Sequence, residues 1–226
     1  MLRNFIPPKV QPGQEEYVKS IRENQITICT GLAGTGKTFL ALSEAIDMLM
    51  KSQKRGGIQR IVIVRPYIPS NTGEKIGALP GTLDEKVAPY VLSIRDNMRQ
   101  LGMNEQDIQD MLGRQFEFTV LSMCRGRSFS NCFVIVEEAQ NVPLSGDAMK
   151  MLLTRVGKDC KMVIQGDIDQ VDIPTENSAL PETINILSGV HGVGIVDMNN
   201  IETVQRSGIV KRILTAYKQH EEGYNG

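Results

Sequence analysis

Residues 26–42 read Ile26-Thr27-Ile28-Cys29-Thr30-Gly31-Leu32-Ala33-Gly34-Thr35-Gly36-Lys37-Thr38-Phe39-Leu40-Ala41-Leu42. Gly31, Gly36, Lys37 and Thr38 fill the fixed places of the G-x-x-x-x-G-K-[ST] phosphate-binding loop (Walker A). The pattern follows a short apolar run and precedes residues of helical spacing, which is the context it needs. A triphosphate is held by backbone N–H groups turned inward at a helix start, where the positive end of the dipole lies. Gly31, Gly34 and Gly36 permit the dihedrals and the close approach, and Leu32, Ala33, Thr35 and Phe39 belong to the same cradle. Lys37 is then expected to reach the β- and γ-phosphates of ATP, and the Thr38 hydroxyl to take a place on Mg²⁺.

Outward from this loop, strands and helices alternate. Residues 25–30 form the strand that delivers the loop, and residues 37–50 the helix that leaves it, with Leu40, Ala41, Ala45, Ile46 and Leu49 at core spacing. Upstream, a proline-rich lead-in is followed by a helix over residues 14–23 with Tyr17, Val18 and Ile21 on one face. Downstream, residues 60–65 are Ile/Val-rich, as in a parallel strand covered on both faces. Residues 68–81, dense in Gly, Pro, Ser and Asn, read as a long ordered loop.

Residues 84–113 read as two helices, the second from near Asn104, with a stripe of Val87, Val91, Ile94, Met98 and Leu101. Further strands are expected at 117–121, 133–136, 161–165 and 193–198, and helices at 145–156, 180–187 and 203–217. The alternation predicts an α/β fold: a mostly parallel sheet, helices on both faces, right-handed crossovers, and 84–113 as a small helical insertion in a single domain over residues 1–226.

The 25 basic and 26 acidic residues leave a net charge of -1, so no whole-protein field draws the chain onto a polyanion and any nucleic-acid contact must be local. Cys29, Cys124, Cys132 and Cys160 lie far apart beside apolar runs and read as buried free thiols of a reducing compartment. His191 and His220 occupy loop-like and tail-like settings without a role. No apolar run has membrane length and residues 1–8 lack the core of a signal peptide, so a cytoplasmic protein is expected.

Phe133-Val134-Ile135-Val136-Glu137-Glu138 is a second anchor, an apolar strand ending in two acids. Ligand chemistry in open α/β sheets sits at the carboxyl edge, where these acids fall. Glu137 would hold Mg²⁺ and Glu138 would orient and deprotonate the attacking water, while Gln170, on the loop leaving the next strand, would sense the γ-phosphate. Negative charge developing on the γ-phosphoryl group calls for an arginine. Arg155 and Arg206 are the candidates, supplied by a neighbouring subunit in a ring. Arg65, Arg125 and Arg127, with Tyr67 and Phe129 beside them to stack bases, offer a local basic surface for single-stranded RNA or DNA. The same arginines serve equally well as bridges between acids and loop carbonyls.

Taken together, these blocks resemble the PhoH family of P-loop ATPases. The residues that carry the resemblance are Pro12-Gly13-Gln14 with Tyr17, the loop from Gly31 to Thr38, Arg65-Pro66, Gly73-Glu74 with Gly77-Ala78-Leu79-Pro80-Gly81, and Arg125-Gly126-Arg127. They continue through Glu137-Glu138-Ala139-Gln140-Asn141, Leu153-Thr154-Arg155-Val156-Gly157, Gly166-Asp167 with Gln170 and Asp172, and Val204 with Arg206.

The resemblance implies a RecA-like core, ATP hydrolysis, a homo-oligomeric ring (a hexamer) and an association with RNA. It implies that Gln14 reads adenine and that Arg65-Pro66 contacts a nucleic-acid strand. Two residues depart from the family pattern: Glu137 stands where an aspartate is usual, and Leu32 where a proline is usual. The chain leaves no room for a nuclease or RNA-binding domain, so RNA cleavage is not expected. An alternative to turnover is an ATP-dependent binding module, in which occupancy alone switches a surface. A kinase would need an acceptor-binding residue set that the sequence does not offer.

Overall fold

A computed structural model describes residues 5–52, 57–66 and 83–199, together with residues 209, 212, 213, 215–217 and 220. The loop expected over 68–81, Tyr67, Arg206 and most of the helix expected over 203–217 lie outside the described residues. In chain order the elements are α1 (Glu15–Glu23), β1 (Ile26–Gly31), α2 (Lys37–Ser52), β2 (Arg60–Arg65), α3 (Leu83–Gln100), α4 (Glu105–Arg114), β3 (Phe116–Val120), β4 (Cys132–Val136), α5 (Ala148–Leu153), β5 (Lys161–Gly166), α6 (Ala179–Leu187) and β6 (Val193–Met198).

Six strands form one sheet in the order β3-β2-β4-β5-β1-β6, and every registered pair is parallel. Alternate side chains of each strand go to opposite faces, and both faces are apolar. Ile61, Ile63, Phe133, Ile135, Val163 and Cys29 pack against α1 and α2 on one side, while Val62, Val64, Val134, Val136, Met162, Ile164 and Ile28 pack against α5 and α6 on the other. This two-sided burial is why the strands read as unbroken Ile/Val runs rather than as polar/apolar alternation. The architecture is the α/β fold expected from the sequence, a parallel sheet with helices on both faces and the phosphate loop joining β1 to α2. No described helix is long and apolar enough to cross a membrane.

The two helices expected over 84–113 are α3 and α4, and they make the connection from β2 to its parallel neighbour β3. Ile94, Met98, Leu101, Ile108 and Met111 join the same apolar cluster as Tyr17, Ile21 and Ile46, so they continue the helical layer beside α2. The helix expected over 145–156 is shorter. A 3-10 turn at Ser145–Asp147 holds Gly146 at φ 78 and Asp147 at φ 52, outside right-handed helical space, and α5 starts only after it. It stops at Leu153 because the Arg155 carbonyl is taken by the N–H of Phe129 and the Phe129 carbonyl by the N–H of Gly157. The four cysteines are buried free thiols, as expected.

Because all strands run the same way, the residues that end them share one edge: Gly31 on β1, Arg65 on β2, Val136 on β4 and Gly166 on β5. β5 lies between the strand that delivers the phosphate loop and the strand that delivers the acids. The loops after β4 and β5 come close, and a Cβ on Gly166 would sit 2.8 Å from both Gln140 Oε1 and Leu180 Cδ2. Only glycine lets β5 end this near the acid loop.

Candidate functional site

At that edge a cleft of about 360 Å³ opens between the start of α2, the end of β2, the side of α3 and the loops after β4 and β5. Ala33, Gly34, Gly36, Lys37, Thr38 and Phe39 line one wall. Arg65, Glu137, Glu138, Gly166, Asp167 and Gln170 line the others. Five of the residues picked out from the sequence for phosphate, metal or water chemistry, Lys37, Thr38, Glu137, Glu138 and Gln170, therefore meet in one cavity. They come from three loops that are more than a hundred residues apart at the extremes.

The phosphate loop is braced from inside. Thr35 is buried, and its hydroxyl donates to Leu32 O at 2.9 Å. Gly36 has φ 92, and a Cβ there would stand 3.0 Å from Gln14 Nε2, so its place in the motif has both a dihedral and a packing reason. Lys37 Nζ folds back onto the loop, donating to Gly31 O and, at 2.9 Å, to Leu32 O. Burial lowers the Lys37 pKa, while Cys29, Asp167 and Glu138 act to raise it. The first turn of α2 carries no acid, so nothing on the helix itself competes with an anion for its N-terminus.

Glu137 is 2% exposed, and its Oε2 accepts Arg65 Nε at 2.8 Å. The Arg65 guanidinium lies 4.2 Å above the Tyr90 ring of α3. A buried carboxylate paired with a stacked arginine suits Arg65 as a bridge to an acid, one of the two uses left open by the sequence. Glu138 follows with φ 53 and ψ 40, the left-handed region that non-glycine residues rarely adopt. The turn swings its side chain outward while Glu137 stays inside.

A hub that the sequence reading quoted among the motif blocks, without giving it a role, ties these loops together. Buried Gln140 donates through Nε2 to Glu138 Oε2 at 2.8 Å and to Gln170 O at 2.9 Å, and its Oε1 accepts the Asp167 N–H at 3.1 Å. Next to it Asn141 and Asp172 exchange two bonds, at 2.8 and 2.7 Å. Gln140 and Asn141 stand in a run of polar residues directly after an apolar strand, and that was the available signal. Asp167 is the other addition. Its Oδ2 is buried and finds no hydrogen-bond partner among the described residues. Burial raises its pKa, against the pull of the Asp169 N–H and of Lys37.

The donor set fits Mg²⁺. Among the described residues no group of three or more His, Cys, Asp or Glu is arranged to hold a metal. A cation here would take most of its shell from water and phosphate, as Mg²⁺ does. Thr38, Glu137 and Asp167, whose Oδ2 has no partner among the described residues, bring hard oxygen donors to the lining of the same cavity.

Other expected residues lie elsewhere. Gln14 is 3% exposed and has both ends of its amide engaged behind the phosphate loop: Oε1 accepts the Gln11 N–H at 3.0 Å, and Nε2 donates to Thr35 O at 2.9 Å. It is not among the residues that line the cleft. Arg155 sits beside Phe129 at the opposite, strand-start edge, its Nε donating to Met151 O at 3.1 Å, across a sheet about 15 Å deep. Phe129 is not a base-stacking surface. It is 0% exposed and lies beneath Arg127, whose guanidinium is 5.3 Å from its ring and paired with Glu117 on β3. The bridge between Phe129 and Val156 explains why an aromatic beside two arginines turned inward. Arg125 is exposed.

Comparison with known proteins gives the same direction as the geometry. The PhoH-like protein family matches residues 6–218. A PhoH-like protein of Synechocystis is 38% identical over 210 residues, covering 92% of this chain and 61% of that protein. A PhoH-like protein of Bacillus subtilis is 36% identical over 206 residues (91% and 62%). Protein PhoH of Escherichia coli is 35% identical over 209 residues (91% and 56%). The chain thus spans about three fifths of the length of these relatives. Among solved structures, the helicase domain of Pyrococcus furiosus Hef aligns with a TM-score of 0.46 at 14% identity, covering 85% of this chain and 39% of that one. With the family matching residues 6–218, and its phosphate loop and paired acids meeting in one cleft, the chain belongs to the PhoH-like protein family.

Proposed function

We propose that the chain is an Mg²⁺-dependent ATPase whose turnover is coupled to single-stranded RNA or DNA. The observation that carries the reading is the meeting of Lys37, Thr38, Glu137, Glu138 and Gln170 in one cleft at the N-terminus of α2. Lys37 leaves the loop carbonyls for the β- and γ-phosphates, which replace them as partners of higher charge. Thr38 and Glu137 would hold Mg²⁺, with Asp167 beside them, and the ion would supply positive charge against the phosphate oxygens. Glu138 takes a proton from a water as that water attacks the γ-phosphorus and the bond to the bridging oxygen breaks, leaving ADP and phosphate. Gln170 donates to the γ-phosphate side of the cleft, and Gln140 keeps it in register with Glu138.

The cleft's own arginine, Arg65, is committed to Glu137, and Arg155 faces away from its own site. That arrangement supports an arginine supplied between subunits of a homo-oligomeric ring, by Arg155 or Arg206. A variant that stays monomeric by light scattering is expected to lose at least about 10³-fold in turnover, the usual worth of an arginine finger. Full activity in such a monomer would refute the ring requirement.

The Arg65–Glu137 pair also favours a second reading, in which nucleotide occupancy releases Arg65 and switches a binding surface with little turnover. Phosphate release measured with Mg²⁺ and ATP, alone and with single-stranded RNA or single-stranded DNA, separates the two. A coupled motor accelerates with one of the polymers, and a switch does not. Affinity for the effective polymer should fall steeply with salt.

A further inference from the structure

Thr38 has a partner that the phosphate-loop pattern does not specify. Gln165, in β5, is 2% exposed, and its Nε2 stands 2.7 Å from Thr38 Oγ1. Its other end, Oε1, accepts the hydroxyl of Tyr17 at 3.2 Å, and Tyr17, from α1, is 0% exposed. Register explains the meeting. β5 lies beside β1 with Gln165 opposite Cys29, so Gln165 is the β5 residue level with the root of the loop. It is also the one amide in a strand otherwise made of Lys161, Met162, Val163, Ile164 and Gly166. A buried amide left unpaired loses its hydration with nothing in return, so both of its ends must be answered here.

Chemistry fixes the direction of these bonds. Burial pushes the Tyr17 hydroxyl well above the ordinary phenol range, with Cys29 and Glu137 adding to the effect, so it remains a donor. Gln165 Oε1 can only accept and Nε2 can only donate, which makes Thr38 Oγ1 an acceptor in this contact. A hydroxyl oxygen has four directions. Its Cβ takes one, its own proton a second, and the Gln165 N–H a third. One lone pair is left.

We propose that Gln165 is a positioning residue for the metal. By occupying one lone pair of Thr38 Oγ1, with Tyr17 anchoring the amide from behind, it leaves the other lone pair free for Mg²⁺. The inference rests on the ATPase reading above and extends it to a strand and a helix outside the motif. It also gives α1 and the residue before it two grips on the loop, Gln14 on Thr35 O and Tyr17 through Gln165 on Thr38. The expected signature is specific: the metal's contribution to nucleotide affinity depends on Gln165, and the metal-free affinity does not.

Gln165→Met tests this, because it removes the donor yet keeps an unbranched side chain of similar length in the same space. Titration of the full chain with a fluorescent ATP analogue, once in EDTA and once in saturating Mg²⁺, gives two Kd values and their ratio. The Kd in EDTA should match wild type, while the gain from Mg²⁺ should shrink by about tenfold or more, the usual effect of losing a group that orients a metal ligand. Tyr17→Phe should shift the ratio the same way by less. In a Thr38→Ala background, Gln165→Met should have no further effect on the ratio. A merely structural role would weaken both Kd values together. An unchanged ratio in Gln165→Met, or in Tyr17→Phe should Gln165→Met not fold, overturns the assignment. Wild-type protein that binds the analogue under neither condition overturns the ATPase reading itself, and the inference with it.

Discussion

Lys37→Ala is expected to lower ATP affinity by about a hundredfold or more, equivalent to roughly 3 kcal/mol at room temperature. Lys37 is the only cation the phosphate loop carries, and its ammonium lies in a cleft whose other titratable walls include Asp167, Glu137 and Glu138. Among the described residues, removing it leaves a triphosphate facing carboxylates with N–H dipoles and Arg65 to oppose them. The structure adds a second loss. With the Lys37 side chain gone, Gly31 O and Leu32 O give up the donor that pins the loop, so the cradle is less preorganised before any ligand arrives.

Lys37→Arg should recover little, because a planar fork cannot take the place of a compact ammonium against two adjacent carbonyls. Burial lowers the Lys37 pKa, so wild-type affinity should begin to decline at a lower alkaline pH than an exposed lysine would give. Equilibrium titration with a fluorescent ATP analogue reads all three effects. An Ala variant that binds within twofold of wild type would show that the loop grips something other than a polyphosphate.

What the sequence revealed and what it concealed divide along physical lines. The phosphate loop was legible because its chemistry is local: three glycines, a lysine and a threonine within eight residues, between a strand and a helix. The parallel sheet was legible because two-sided burial demands unbroken runs such as Ile61-Val62-Ile63-Val64, and such runs stand out. Glu137 and Glu138 were legible because they end one of these runs.

What stayed hidden depends on register between distant strands. Arg65 meets Glu137 only because β2 and β4 are neighbours with Val64 opposite Val136. Gln165 meets Thr38 only because β5 was placed between β4 and β1, an order no local pattern encodes. Gln14 illustrates a different limit. The resemblance gave it a ligand to read, yet the fold offers its amide a backbone N–H and a backbone carbonyl at hydrogen-bonding distance, and a 3% exposed side chain uses them. Phe129 failed as a stacking surface because the chain between β3 and β4 recrosses the sheet to its strand-start edge, taking the aromatic into the core. Helix 145–156 came out short because Gly146 and Asp147 take left-handed dihedrals that helical periodicity cannot register.

Glu138→Gln should separate binding from turnover. Nucleotide affinity is expected to stay within about twofold of wild type, while phosphate release falls by about 10²–10⁴, the range a positioned general base supplies. The structure explains why the geometry survives the change. In the wild type, Glu138 Oε2 accepts Gln140 Nε2 at 2.8 Å. A glutamine at 138 can present its carbonyl oxygen to the same donor, so the left-handed turn at φ 53 and the links from Gln140 to Gln170 and Asp167 remain. What disappears is the oxygen that would take the proton of the attacking water, now an amide without useful basicity.

Glu138→Ala is the less informative variant, because it strips Gln140 of a partner and disturbs Gln170 as well, so a fall in rate could come from either cause. Paired measurements of phosphate release and analogue binding on Glu138→Gln decide the matter. Wild-type turnover in that variant would move the proton-accepting role to another carboxylate of the cleft. Asp167 is the group the geometry nominates, since it lines the same cavity and burial raises its pKa.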